Sequence, residues 1–93
     1  MFKTNEYFDG KVKSIAFETD EGRATIGVMA AGEYEFGTST IEFMTVTSGK
    51  MIVQLPDETE WKEYLPYDTF IVAKDKKFRL KLQADASYLC LYR

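Results

Sequence analysis

Turn signals interrupt this chain so often that no long element fits between them. They fall at Asp9-Gly10, Asp20-Glu21-Gly22, Ala31-Gly32, Ser48-Gly49-Lys50, Pro56-Asp57, Pro66-Tyr67-Asp68, Asp75-Lys76 and Ala84-Asp85. Gly and Asp tolerate the left-handed backbone that tight turns need, and Pro presets one turn dihedral. The runs between them are short and rich in β-branched and aromatic residues, the composition of strands. Ala24, Ile26 and Val28 share one face of such a run. Met44 and Val46 share another, continued past the turn by Met51, Val53 and Leu55. Phe78, Leu80 and Leu82 alternate with Lys77, Arg79 and Lys81, as in a strand with one buried face. No stretch carries a helical stripe of useful length, and Glu58 to Leu65 reads as a loop leading into a strand. Eight or nine short strands without a helix predict an all-β fold: a sandwich, a jelly roll or a small barrel.

Ninety-three residues make one domain, 1–93, with no room for a second core. A chain of this size buries roughly 60–65% of its unfolded surface. A hydrophobic content of 45% and an aromatic content of 15% fit a packed globule. The net charge of -3 and the scattered basic residues argue against a nucleic-acid partner, which asks for clustered Lys and Arg. The single cysteine, Cys90, excludes an internal disulfide and is compatible with a reducing compartment. No apolar run approaches the roughly 18 residues of a membrane span. The first residues, MFKTNEYFDGKVKS, lack the apolar core of a signal peptide. A cytoplasmic protein without membrane association is expected.

The stretch from Gly27 to Gly49, GVMAAGEYEFGTSTIEFMTVTSG, carries the chief functional signal. Glu42, then six residues, then the turn glycine Gly49 is similar to the tail of the first cupin motif. Metal-binding cupins have two histidines just before that glutamate. Here the same ground holds Phe36, Gly37 and Thr38, and the chain contains no histidine at all. Tyr67 and Ala73 stand where the second cupin motif usually has Gly and Pro. Metal-dependent dioxygenase or isomerase chemistry is therefore disfavoured.

A closer resemblance runs through Asn5-x-x-Phe8-x-Gly10-x-Val12-Lys13-Ser14, Gly27-Val28-Met29 and Gly32-x-Tyr34-x-Phe36-x-Thr38. It continues through Met44-Thr45-Val46-x-x-Gly49 and ends at Tyr88-Leu89-Cys90-x-Tyr92. In order and spacing these pieces resemble the small cupin-like pyrimidine/purine nucleoside phosphorylases over essentially the whole chain. The resemblance implies a single cupin-like jelly-roll β-barrel and phosphorolysis of purine and pyrimidine nucleosides. It further implies inorganic phosphate as co-substrate, no organic cofactor and a homodimer, while the missing histidines make a metal unexpected.

Breaking an N-glycosidic bond develops positive charge on the sugar, as in glycoside hydrolysis. Without histidine, no side chain has an unperturbed pKa near neutrality. The work then falls to positioning and electrostatics, with a carboxylate shifted by burial. Glu42 is the catalytic candidate, able to hold ribose hydroxyls and face the developing cation; an ordinary strand glutamate is its plain alternative. Tyr34, Phe36 and Thr38 alternate and should share one face, where two aromatics and a hydroxyl suit a base stacked over a sugar. Ordinary core packing is the alternative for both aromatics. For phosphate the candidates are Lys13, Ser14, Arg23 and Arg79, the last near the position of the final cupin histidine and so a candidate to project inward. Each cation has an alternative as a solvated strand-face charge. Thr38, Ser39 and Thr40 beside Gly37 offer further donors.

Trp61 is expected to anchor packing at a barrel end, Met29, Met44 and Met51 to fill the core, and Cys90 to be structural. Asp57, Glu58 and Glu60 read as a solvated hairpin tip. Two other readings compete. One is a non-catalytic barrel that binds a sugar or nucleoside. The other is a partner-binding domain in which Phe2, Tyr7 and Phe8 cover a sheet edge in a homodimer.

Overall fold

The computed structural model describes all 93 residues as strands, turns and connecting segments, with no helix. Ten strands occur in the order β1 (Lys3–Tyr7), β2 (Val12–Thr19), β3 (Gly22–Met29), β4 (Gly32–Gly37), β5 (Glu42–Ser48), β6 (Met51–Gln54), β7 (Lys62–Tyr64), β8 (Thr69–Val72), β9 (Lys77–Leu82) and β10 (Ala86–Tyr92). The turn residues sit between them as the sequence predicts. Asp9, Asp57, Tyr67 and Asp75 have left-handed φ values of 57°, 62°, 75° and 59° respectively. The loop-then-strand expectation for Glu58 to Leu65 corresponds to β7.

The strands form two antiparallel sheets. One has six strands in the order β1-β2-β3-β10-β5-β8, the other four in the order β4-β9-β6-β7. No ladder joins them, so the hydrogen bonds describe two facing sheets rather than a closed barrel. The chain passes from one sheet to the other at six connections: β3–β4, β4–β5, β5–β6, β7–β8, β8–β9 and β9–β10. Between them lies a core that includes Met29, Met44, Val46, Met51, Val53, Phe70, Phe78 and Leu80. Met29, Met44 and Met51 are all buried in it.

Ala24, Ile26 and Val28 share a face of β3 as expected; Ala24 is buried, but Ile26 and Val28 are exposed, so that face is the outer one. By alternation the inner face of β3 carries Arg23, Thr25, Gly27 and Met29. Its polar end cannot fill the space between the sheets with hydrocarbon, and this is what leaves room for a site. Trp61 is not in the core. It lies outside the four-stranded sheet, with Lys81 Nζ 4.1 Å from its ring centroid, where a lysine covers the ring with its charge and stem.

Candidate active site

The inner face of the six-stranded sheet changes character along its strands, because the register sets unlike residues side by side. One row runs Val12–Met29–Ala86, an apolar floor. The next runs Ser14–Gly27–Tyr88, and the next Ala16–Thr25–Cys90–Met44. Beyond it Tyr92 pairs with Glu42. Apolar packing thus gives way, over three steps of the pleat, to hydroxyl, thiol and carboxylate. Gly27 is required by this arrangement: a Cβ there would lie 2.7 Å from both the Lys13 carbonyl oxygen and the Tyr88 hydroxyl. The hydroxyl end of the Tyr88 ring therefore rests against the β3 backbone at Gly27.

Opposite these rows, the four-stranded sheet contributes Phe36 and Phe78, stacked with centroids 5.9 Å apart. Tyr7 at the end of β1 meets Phe36 edge-on at 6.2 Å, and Phe8 does so at 5.5 Å. The two sheets enclose a half-open pocket of about 220 Å³. Glu42 is its single carboxylate and Arg23 its single cation, with Ser14, Ser39, Phe36 and Tyr88 among the other lining residues.

Glu42 accepts a hydrogen bond from the Cys90 thiol, Sγ to Oε1 3.6 Å. Burial raises its pKa above the ordinary glutamate value, against smaller lowering effects from the Cys90 bond and the Arg23 charge. Burial also pushes the Cys90 thiol up to about 12, with the Glu42 charge adding to the shift. Cys90 is thus a neutral donor to the carboxylate rather than a nucleophile. Tyr88 is pushed up to about 12 by burial, and Tyr92 is raised for the same reason. Tyr88, Tyr92 and Cys90 thus stand as neutral groups around one carboxylate and one guanidinium.

The expected site residues divide cleanly. Glu42, Phe36, Ser14 and Arg23 meet at the pocket. Tyr34 faces inward but lies beyond it, its hydroxyl donating to the Ala30 carbonyl at 2.7 Å. Thr38 is buried as a latch: its hydroxyl donates to the Ala73 carbonyl at 2.6 Å and accepts from the Lys76 amide at 3.1 Å. Lys13 is on the outer face, in an exposed pair with Glu6 at 3.8 Å. It borders a shallow groove of about 590 Å³ there, larger than the pocket but without an unpaired charge of its own. Arg79 does not project inward. Phe78 and Leu80 take the inner face of β9, so alternation turns Arg79 out to pair with Glu35 at 3.1 Å. Asp57 pairs with Lys76 in an exposed turn.

Ser39, a candidate donor in the sequence, also lines the pocket, and so do Tyr7, Tyr88, Cys90 and Tyr92, which are not among the expected site residues. For three of them the signal was present: the alternation in ASYLCLY puts Tyr88, Cys90 and Tyr92 on one face. What the alternation alone lacks is the side on which that face lies.

A family model described as pyrimidine/purine nucleoside phosphorylase matches residues 2–92. A Pseudomonas aeruginosa (strain LESB58) pyrimidine/purine nucleoside phosphorylase is 59% identical over 93 residues, covering 100% of both chains. Among solved structures, a Vibrio parahaemolyticus protein described as of unknown function is similar with a TM-score of 0.93 and 38% identity, over 97% of this chain and 96% of that one. A cupin superfamily protein from Desulfitobacterium hafniense shares the fold at a TM-score of 0.72 and 15% identity, over 95% and 82% of the two chains.

Proposed function

The chain belongs to the pyrimidine/purine nucleoside phosphorylase family, and we propose that the half-open pocket between its sheets is where phosphorolysis occurs. The protein is a nucleoside phosphorylase: a purine or pyrimidine nucleoside and inorganic phosphate give the free base and ribose 1-phosphate. A phosphate oxygen forms a bond to C1′ of the ribose while the C1′–N bond breaks. The electron pair of that bond leaves on the base, and the proton lost by hydrogen phosphate balances the one the base gains.

One observation carries the assignment of residues. The pocket's single carboxylate and single guanidinium are both free of ion pairs, whereas Lys13, Lys50, Lys76 and Arg79 are all paired. Arg23 binds phosphate, with its planar donors matched to an oxyanion and Ser14 and Ser39 at hand as hydroxyl donors. Glu42 faces the sugar, where its negative charge stabilises the positive charge that develops at C1′. Phe36 and Tyr7 form the apolar wall for the base. The pocket of about 220 Å³ falls below the roughly 300–1,000 Å³ of sites that engulf a drug-sized ligand. The sugar and phosphate therefore occupy its depth and the base its mouth, a placement that imposes little selection between a one-ring and a two-ring base.

In this reading the whole chain, 1–93, is one phosphorylase domain whose two sheets act as the walls of a jelly-roll barrel. It works as a cytoplasmic homodimer and without a metal or organic cofactor. Support for metal independence is chemical: one carboxylate and one neutral thiol are a poor donor set beside the three or more ligands that hold a catalytic metal. The test is base release from uridine and adenosine by metal-stripped protein, with and without phosphate. Phosphate-dependent release yielding ribose 1-phosphate is expected. Release without phosphate would make the protein a hydrolase, and loss of activity on metal removal would overturn the cofactor-free mechanism.

A further inference from the structure

We propose that Tyr92, locked in place by Thr25, is a positioning residue that holds the Arg23 guanidinium ready for phosphate. The inference rests on the reading of Arg23 as the phosphate-binding cation. Arg23 Cζ lies 4.8 Å from the centroid of the Tyr92 ring, within the range of a cation–π contact. The ring cannot swing freely, because its hydroxyl shares a 2.9 Å hydrogen bond with Thr25 Oγ1. Thr25 is itself only 4% exposed.

The sheet register builds this shelf. Leu91 pairs with Ala24, so the next step toward the end of β10 brings Tyr92 beside Arg23. On its other side Tyr92 pairs with Glu42. One ring thus stands between the pocket's two charged residues. Glu18 faces Arg23 across the β2–β3 ladder, yet it forms no ion pair with it.

The choice of an aromatic support has a chemical reason. A carboxylate would hold an arginine in place but also occupy its donors and neutralise its charge, as Glu35 does to Arg79. A π face attracts the guanidinium from above and leaves its five N–H donors in plane, free for an oxyanion. Tyr92 therefore steadies Arg23 without competing with phosphate.

Steady-state kinetics with uridine and inorganic phosphate test this. Tyr92→Leu is expected to raise the phosphate KM by roughly two- to thirty-fold, the span of cation–π strengths, and to leave the uridine KM unchanged. Tyr92→Phe keeps the ring and should fall closer to wild type. Arg23→Ala should raise the phosphate KM further, and adding Tyr92→Leu to it should then have no effect. Parallel rises in both KM values, or an undiminished Tyr92→Leu effect in the Arg23→Ala background, would overturn the positioning role. If Arg23→Ala leaves the phosphate KM unchanged, the reading of Arg23 itself fails. If Arg23→Ala acts and Tyr92→Leu does not, only the positioning role fails. Should Tyr92→Leu not fold, NMR of the wild-type protein decides: ring-current-shifted Arg23 side-chain protons are expected, and unshifted ones overturn the proposal.

Discussion

Glu42 accepts its hydrogen bond from a thiol rather than from a cation, so its burial is only partly compensated. A glutamate whose pKa is raised by folding favours the folded state below its ordinary pKa. That advantage is lost as pH rises through the folded value, so at neutral pH the ionised group destabilises the fold. Glu42→Gln should therefore melt at the same or a higher temperature than wild type near neutral pH, with the difference vanishing at about pH 4. The same change should lower kcat by roughly 10²–10⁴ if, as proposed, the Glu42 charge faces the sugar. A variant that melts lower at neutral pH, or turns over like wild type, would remove Glu42 from this role. Its candidacy was legible from the spacing to Gly49. Its thiol partner was not, because Cys90 lies 48 residues away and reaches it only through the pairing of β5 with β10.

At the scale of the element, alternation told which residues share a face but not which face is inside. Thr38, on the same side as Phe36, appeared able to touch substrate. It instead ties the loop after β4 to the turn before β9 through bonds to Ala73 and Lys76. Thr38→Val would leave the Ala73 carbonyl and the Lys76 amide without this partner, and should cost roughly 1–3 kcal/mol of stability. The uridine KM of the folded variant should stay at the wild-type value; a raised KM at unchanged stability would restore Thr38 as a substrate contact. For β9 the sequence pattern was sufficient in itself, since Phe78, Leu80 and Leu82 already dictated that Arg79 faces water. The analogy to the last cupin histidine suggested otherwise, and local alternation prevailed because three buried side chains outweigh one exposed arginine.

Across the whole molecule, the space between the sheets collects groups that each lose stability to ionisation. Cys90 and Tyr88 have ordinary values of 9.0 and 10.0 and are both pushed up to about 12 by burial in the fold. Raised values mean that their contribution is fully present below the ordinary pKa and is lost as pH rises toward the folded one. The midpoint of denaturant unfolding should thus hold steady to about pH 8 and fall by about pH 11, and an unchanged midpoint would contradict the burial of these groups. The all-β class, the turns and the residues that share a face followed from the sequence, because turn chemistry and a two-residue period are local. The family, too, was legible in the order and spacing of short motifs. Only the tertiary structure decided that Ile26 and Val28 face outward, that two sheets rather than one closed ladder make the fold, and that Arg23, Tyr92 and Glu42 meet. Those outcomes depend on which strands become neighbours, and strand pairing between residues as distant as Ala24 and Leu91 is fixed by the packing of the whole core.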